Sequence, residues 1–158
     1  MRYFLIDKVT ELEIGKSARG VKNVTLTDEV LHDHFPDHPI MPGVLILEAA
    51  SQLAGFLLEM TVNRPDAPLR RSLLVQVELA KFHDFATPGD QLDIRVTLDS
   101  QHEGAAKVTA EAQVGTKRIA RAGLMFVLRE IPSSSVHDQR RYLYRLWTRD
   151  LKPTQTIL

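Results

Sequence analysis

Residues 32–48 run His32-Asp33-His34-Phe35-Pro36-Asp37-His38-Pro39-Ile40-Met41-Pro42-Gly43-Val44-Leu45-Ile46-Leu47-Glu48, which sets three histidines and three prolines just ahead of an apolar run. A histidine and a carboxyl can divide general acid–base work between them. An imidazole titrates near neutrality, and a carboxyl flanked by Leu45, Leu47 and Ala49 is, on the functional reading, expected to be partly desolvated and so a proton donor. Proline fixes φ and restrains the residue before it, so residues 34–43 are expected to form a stiff extended loop. Pro42 suits a first helical turn, where its missing N–H costs nothing. Such a loop holds a histidine near a helix N-terminus, whose free N–H groups favour developing negative charge.

Two alternatives stand beside this chemistry. Glu48, Ser51, Gln52, Gly55 and Glu59 fall along one helical stripe, which reads equally as the solvent edge of an amphipathic helix. His32, His34 and His38 alternate as metal ligands can, but the favoured expectation is loop histidines and no metal. No cysteine helps, the carboxylates do not obviously converge, and the prolines limit rearrangement. His83, His102 and His137 are expected at the surface, and Asp28 is a candidate cap for a short turn.

The elements that would position these residues are legible from periodicity. Leu73, Val75, Val77 and Leu79 recur at every second position. Leu92 to Leu98 and Ala106 to Val114 alternate against polar neighbours, and a further strand spans about Arg118 to Leu128. Period two marks strands with one wet and one buried face, as in an antiparallel sheet. Val9–Ile14 and Ser17–Leu26 form a hairpin around Gly15-Lys16. One helix, Gly43 to Val62, is apolar over most of its circumference and must be largely buried. The fold class is α+β, a curved antiparallel sheet wrapped around one long buried helix.

Length and composition bound the rest. The 158 residues carry 20 Lys+Arg and 20 Asp+Glu, a zero formal charge that makes nucleic acid a poor partner. No cysteine is present, which excludes disulfides, thiolate metal sites and a Cys nucleophile. The Met1 to Asp7 segment is too short and charged for a signal peptide, and no unbroken apolar run reaches the roughly 18 residues of a bilayer span. A soluble, cytoplasmic protein without membrane insertion is expected. Residues 1–128 hold 14 basic and 17 acidic side chains, whereas residues 129–158 hold 6 and 3. The break at Pro132-Ser133-Ser134-Ser135 divides a body, 1–131, from a basic tail, 132–158. In the tail, Tyr142, Leu143, Leu146 and Trp147 are expected on the apolar side of a short helix ringed by Arg140, Arg141, Arg145 and Arg149. That helix either packs on the body or offers its basic residues to an acidic partner.

The motif His34-Phe35-Pro36-(x2)-Pro39-(x2)-Pro42-Gly43-Val44-Leu45-Ile46-Leu47-Glu48-Ala49-(x2)-Gln52 resembles the 3-hydroxyacyl-[acyl-carrier-protein] dehydratases of the FabZ type. Val21-Lys22-Asn23-Val24, Ala80-Lys81-Phe82 and Pro88-Gly89-Asp90-Gln91 extend the resemblance over about residues 4–128. It implies a hotdog fold, no cofactor, and a homodimer that can assemble as a hexamer, a trimer of dimers, with active sites shared between subunits. It implies an acyl carrier protein as partner and, as the activity, dehydration of a 3-hydroxyacyl thioester to the trans-2-enoyl product in fatty acid or related polyene and polyketide synthesis. By position, His34 resembles the catalytic histidine and Glu48 the catalytic acid. Glutamate instead of the aspartate of the FabA branch points to dehydration without isomerisation. Gly43 resembles the backbone donor to the thioester carbonyl, Gln52 a residue that orients Glu48, and Phe35 and Val44 further substrate contacts. Asp33 and Asp37 stand where the family usually has glycine, and His83-Asp84 where it places basic residues. The alternatives are a non-catalytic hotdog acyl-binding or assembly subunit, and a hotdog thioesterase.

Overall fold

A computed structural model describes residues 3–151 and 157–158. In chain order the strands are β1 (Lys8–Glu13), β2 (Ser17–Asn23), β3 (Arg70–Phe82), β4 (Gln91–His102), β5 (Ala105–Val114) and β6 (Lys117–Glu130). Among the described residues two helices accompany them: α1 (Gly43–Val62) between β2 and β3, and α2 (Ser134–Trp147) after β6. A short 3-10 turn, Glu29–His32, precedes the histidine loop. Every strand pairing is antiparallel, and the order across the single sheet is β1-β2-β4-β5-β6-β3.

The alternation expected in β4, β5 and β6 is realised as a buried face. Leu92, Ile94, Val96, Val108, Ile119 and Leu124 are sealed from solvent. α1 lies across that face and touches β2, β3, β4, β5 and β6, so the sheet wraps around it. Leu53, Phe56, Leu57 and Leu58 are likewise sealed, and each such side chain contributes about 1.5–3 kcal/mol of transfer free energy. By length and composition α1 could cross a membrane, with a mean hydropathy of 1.4, which amends the expectation that no segment would pass that test. Here 67% of it is buried within the protein, as the core helix of this fold requires.

β3 departs from expectation. Leu73, Val75, Val77 and Leu79 line no buried face; all are exposed, Leu79 at 84%. β3 is the sheet edge, paired only to β6, and its register shifts between Leu74 and Gln76 and again between Glu78 and Lys81. An alternating pattern reports an apolar face but not what covers it.

The α1 stripe is no solvent edge either. Ser51, Gly55 and Glu59 are buried, and Glu59 is 3% exposed. Its carboxylate accepts from Arg71 (2.8 Å), from the Tyr144 hydroxyl (2.7 Å), and from the Ser72 backbone N–H and hydroxyl (3.0 Å each). Arg71 Nε also donates to His137 Nδ1 at 3.0 Å, so that histidine is partly buried in a network and not free at the surface. A buried carboxylate persists only with such partners. Burial in turn pushes the Tyr144 phenol well above the usual tyrosine range, with the Glu59 charge adding to the effect.

This network fastens α2 to the body. Ser133 caps the helix by accepting from Val136 N–H, and Tyr144 and Trp147 pack edge-on to Phe56 at 4.9 and 6.1 Å. The face turned inward is Leu143, Tyr144 and Trp147; Tyr142 and Leu146, expected with them, point outward. Of the tail, Lys152 to Thr156 lie outside the described residues. Asp28 does occupy the N-cap of the 3-10 turn, but its carboxylate accepts from Thr25 N–H and Lys22 instead of capping.

Candidate active site

The histidine loop is a closed turn instead of an extended segment. Ile40 N–H donates to the His34 carbonyl (2.8 Å), while Phe35 and His38 exchange backbone hydrogen bonds at 3.1 and 2.9 Å. Met41 N–H then ties the loop to Ala86. Asp37 sits at φ 60°, the left-handed region that favours glycine and that aspartate tolerates better than most residues. The place where the FabZ-type pattern has glycine is therefore one where the backbone calls for it. Asp33 and His32 are exposed, and among the described residues no group of three or more histidines and carboxylates is placed to hold a metal ion.

His34 Nδ1 lies 2.8 Å from the Ile40 carbonyl oxygen. A carbonyl can only accept, so Nδ1 carries the proton and Nε2 of the neutral ring bears the free lone pair. The ring stacks on Phe35 at 4.2 Å. Together they border a cleft of about 450 Å³, walled by Ile40, Met41 and Val44 and, from the far side, Phe82 and Phe85. Gly43 opens α1 in the same cleft. Pro42 at the N-cap offers no side-chain cap, and the first turn holds no acidic residue. The leading N–H groups of α1 therefore keep their donor capacity and positive dipole end. Space is tight there: a Cβ on residue 43 would lie 2.6 Å from Phe82 Cε1, so the ring would have to shift.

Glu48 does not line the His34 cleft within one chain. It borders a second cleft, of about 740 Å³, together with Gln52, Tyr3 and Phe4. Gln139, Arg140 and Tyr142 of α2 complete that wall. Gln52 Nε2 donates to Glu48 Oε1 (2.9 Å) and to the Tyr3 carbonyl (2.9 Å), while its Oε1 accepts from Leu5 N–H (2.9 Å). Gln52 thus aims the carboxyl and pins the N-terminal segment at once. Val44, 70% exposed, precedes Glu48 by one helical turn on the same side of α1, so that side joins the two clefts. His34, Phe35, Gly43 and Val44 are gathered in one cleft, and Glu48 and Gln52 in the other. Sequence reasoning missed the α2 wall, the aromatic wall of Phe82 and Phe85, and the Tyr3–Phe4 border. Phe82 lies in the Ala80-Lys81-Phe82 motif, but nothing local shows that it meets the His34 cleft, because the fold brings these residues in from distant segments.

Comparison with known proteins gives this arrangement a family. A family profile described as a FabA-like domain matches residues 1–123. The chain is 41% identical over 128 residues to the 3-hydroxyacyl-[acyl-carrier-protein] dehydratase FabZ of Caldanaerobacter subterraneus subsp. tengcongensis, covering 81% of this chain and 89% of that one. It is 41% identical over 130 residues to FabZ of Thiobacillus denitrificans, covering 82% and 90%. In fold it matches the dehydratase heterocomplex ApeI:P from Xenorhabdus doucetiae with a TM-score of 0.65 at 17% identity, covering 87% of this chain and 88% of that chain. It matches a hot-dog-like protein from Thermanaerovibrio acidaminovorans with a TM-score of 0.61 at 21% identity, covering 84% and 92%. The chain has the hotdog fold and belongs to the FabA-like domain family, among its FabZ-type members.

Proposed function

We propose that this chain catalyses the dehydration of a 3-hydroxyacyl thioester, carried by acyl carrier protein, to the trans-2-enoyl thioester in fatty acid or related acyl-chain biosynthesis. The observation that carries the reading is the 2.8 Å hydrogen bond between His34 Nδ1 and the Ile40 carbonyl, which leaves Nε2 as the free nitrogen of a ring bordering the apolar cleft where α1 begins. Nε2 removes the proton α to the thioester carbonyl. The electron pair becomes the new carbon–carbon double bond as the bond from C3 to its hydroxyl breaks, and the Glu48 carboxyl protonates the departing oxygen, which leaves as water. Charge that builds on the thioester oxygen is met by the Gly43 N–H and the helix dipole. Phe35 and Val44 flank the substrate, and Gln52 holds Glu48 in register.

His34 and Glu48 act across a homodimer, each site drawing its histidine from one subunit and its glutamate from the other. Their separation into two clefts within one chain supports this, as does the apolar β3 edge, which a second copy would cover. The working protein is a cytoplasmic dimer, able to assemble as a hexamer. Residues 1–131 form its catalytic body and 132–158 an extension. The test is hydration of a short trans-2-enoyl thioester, run on carrier protein and on a small thiol, following loss of the conjugated absorbance. Wild-type turnover abolished by both His34→Ala and Glu48→Ala is expected. Release of free thiol, or turnover untouched by either substitution, would overturn the reading.

A further inference from the structure

The cleft beside Glu48 owes one wall to α2, which lies beyond the 1–123 region matched by the family profile. On that wall stands Arg140, half-buried, with its Nε shielded from solvent and without a hydrogen-bond partner among the described residues. Among the described residues no carboxylate pairs with it either, although the next residue, Arg141, pairs with Asp138 at 2.9 Å. Shielding that one N–H from water without a partner is unfavourable, and arginine cannot escape by losing its proton. Nor can α2 swing outward to relieve it, because Tyr144 is bonded to Glu59 and Trp147 is 1% exposed. The fold thus holds an unpaired, planar fork of N–H donors against a cleft of about 740 Å³.

We propose that Arg140 is a specificity-determining residue that binds an anionic oxygen group of the substrate, so that α2 serves as a selectivity wall and not merely as packing. The inference rests on the dehydratase reading, which brings substrate past Glu48. The Glu48 end of the cleft is acidic, so an anion seats at the α2 end, where Gln139 and Tyr142 border the same space. Two parts of a carrier-linked acyl substrate can offer that chemistry: the phosphate of the phosphopantetheine arm, or a carboxylate on the far end of the acyl chain.

The test is calorimetric binding of three unreactive saturated probes to the full chain: hexanoyl-N-acetylcysteamine, its ω-carboxylated adipoyl counterpart, and hexanoyl-4′-phosphopantetheine. Wild type is expected to bind at least one anionic probe about tenfold more tightly than the neutral one, the scale of a charge-assisted hydrogen bond. Arg140→Met should erase that preference while leaving the neutral probe's affinity within about twofold, and Arg140→Lys should retain part of it. Preference for the phosphopantetheine probe alone locates the anion on the arm; preference for the adipoyl probe alone locates it on the acyl end. Equal affinities for all three in wild type, or a preference that survives Arg140→Met, would overturn the inference. Should that variant lack a native melting transition, the wild-type comparison and Arg140→Gln decide the matter. Because binding is read without turnover, a protein that shows the preference yet hydrates no enoyl thioester overturns the dehydratase reading instead.

Discussion

Replacing Gln52 with methionine keeps the side-chain volume but removes three hydrogen bonds of 2.9 Å each. Their costs differ. Leu5 is 6% exposed, so its orphaned N–H forfeits about 1–3 kcal/mol. The Tyr3 carbonyl belongs to an exposed residue and exchanges its partner for water at little cost. Glu48 is half-buried, and water replaces the lost donor only in part. The sum is about 2 kcal/mol, which for a chain of this size lowers the melting temperature by about 4–8 °C. The kinetic signature is separate: a carboxyl free to rotate is productively placed for a smaller fraction of the time, so kcat should fall about tenfold or more while KM changes little. Thermal melts and enoyl-thioester hydration read both effects. Gln52→Glu separates them, because it can keep an acceptor for Leu5 N–H yet offers Glu48 an acceptor where a donor stood. Stability should recover in part while kcat stays low. A Gln52→Met enzyme with wild-type kcat and melting temperature would refute the positioning argument.

Mixing His34→Ala and Glu48→Ala subunits under conditions of subunit exchange should restore activity, since a shared-site heterodimer reassembles one intact histidine–glutamate pair; mixtures as inactive as their parents would place both residues in one subunit's site. Tyr144→Phe should cost about 2 kcal/mol near pH 8 by removing a donor from buried Glu59. Because burial raises the folded-state pKa of Tyr144, its contribution is complete below about pH 10 and is lost as pH rises through the folded value. Urea unfolding should therefore show the gap between wild type and Tyr144→Phe closing at alkaline pH, and a constant gap would count against the assignment. Gly43→Ala places a methyl 2.6 Å from the Phe82 ring, which must shift and so reshape the cleft it lines; a several-fold fall in kcat/KM with a stability change of about 1 kcal/mol is expected from steady-state kinetics and thermal melts. Asp37→Val should destabilise by about 1–2 kcal/mol in chemical denaturation, because a β-branched side chain strains the φ of 60° at that turn, whereas Asp37→Gly should not.

By itself the sequence determined most of the architecture. Strict period-two alternation in β4 and β5 and the apolar run of Gly43 to Val62 depend only on local geometry and water, so the strands, the core helix and their α+β arrangement were legible. The motif from His34 to Gln52 was legible because its residues lie close together along the chain, although the fold divides them between two clefts. Tertiary structure alone decided what each apolar or charged stripe meets. β3 alternates as its neighbours do yet lies exposed at the sheet edge, because pairing partners and sheet order are long-range properties. Glu59 shares a helical stripe with Glu48, but Arg71 and Tyr144, 12 and 85 residues away, make it a buried structural ion, whereas Glu48 opens onto a cleft. The same holds for α2. Its composition announced a basic amphipathic helix, but only packing against Phe56 turned Tyr144 and Trp147 inward and Tyr142 outward, and set Arg140 on the wall of the cleft that Glu48 borders. Periodicity is a property of neighbours along the chain, whereas burial and charge pairing belong to segments that meet only when it folds.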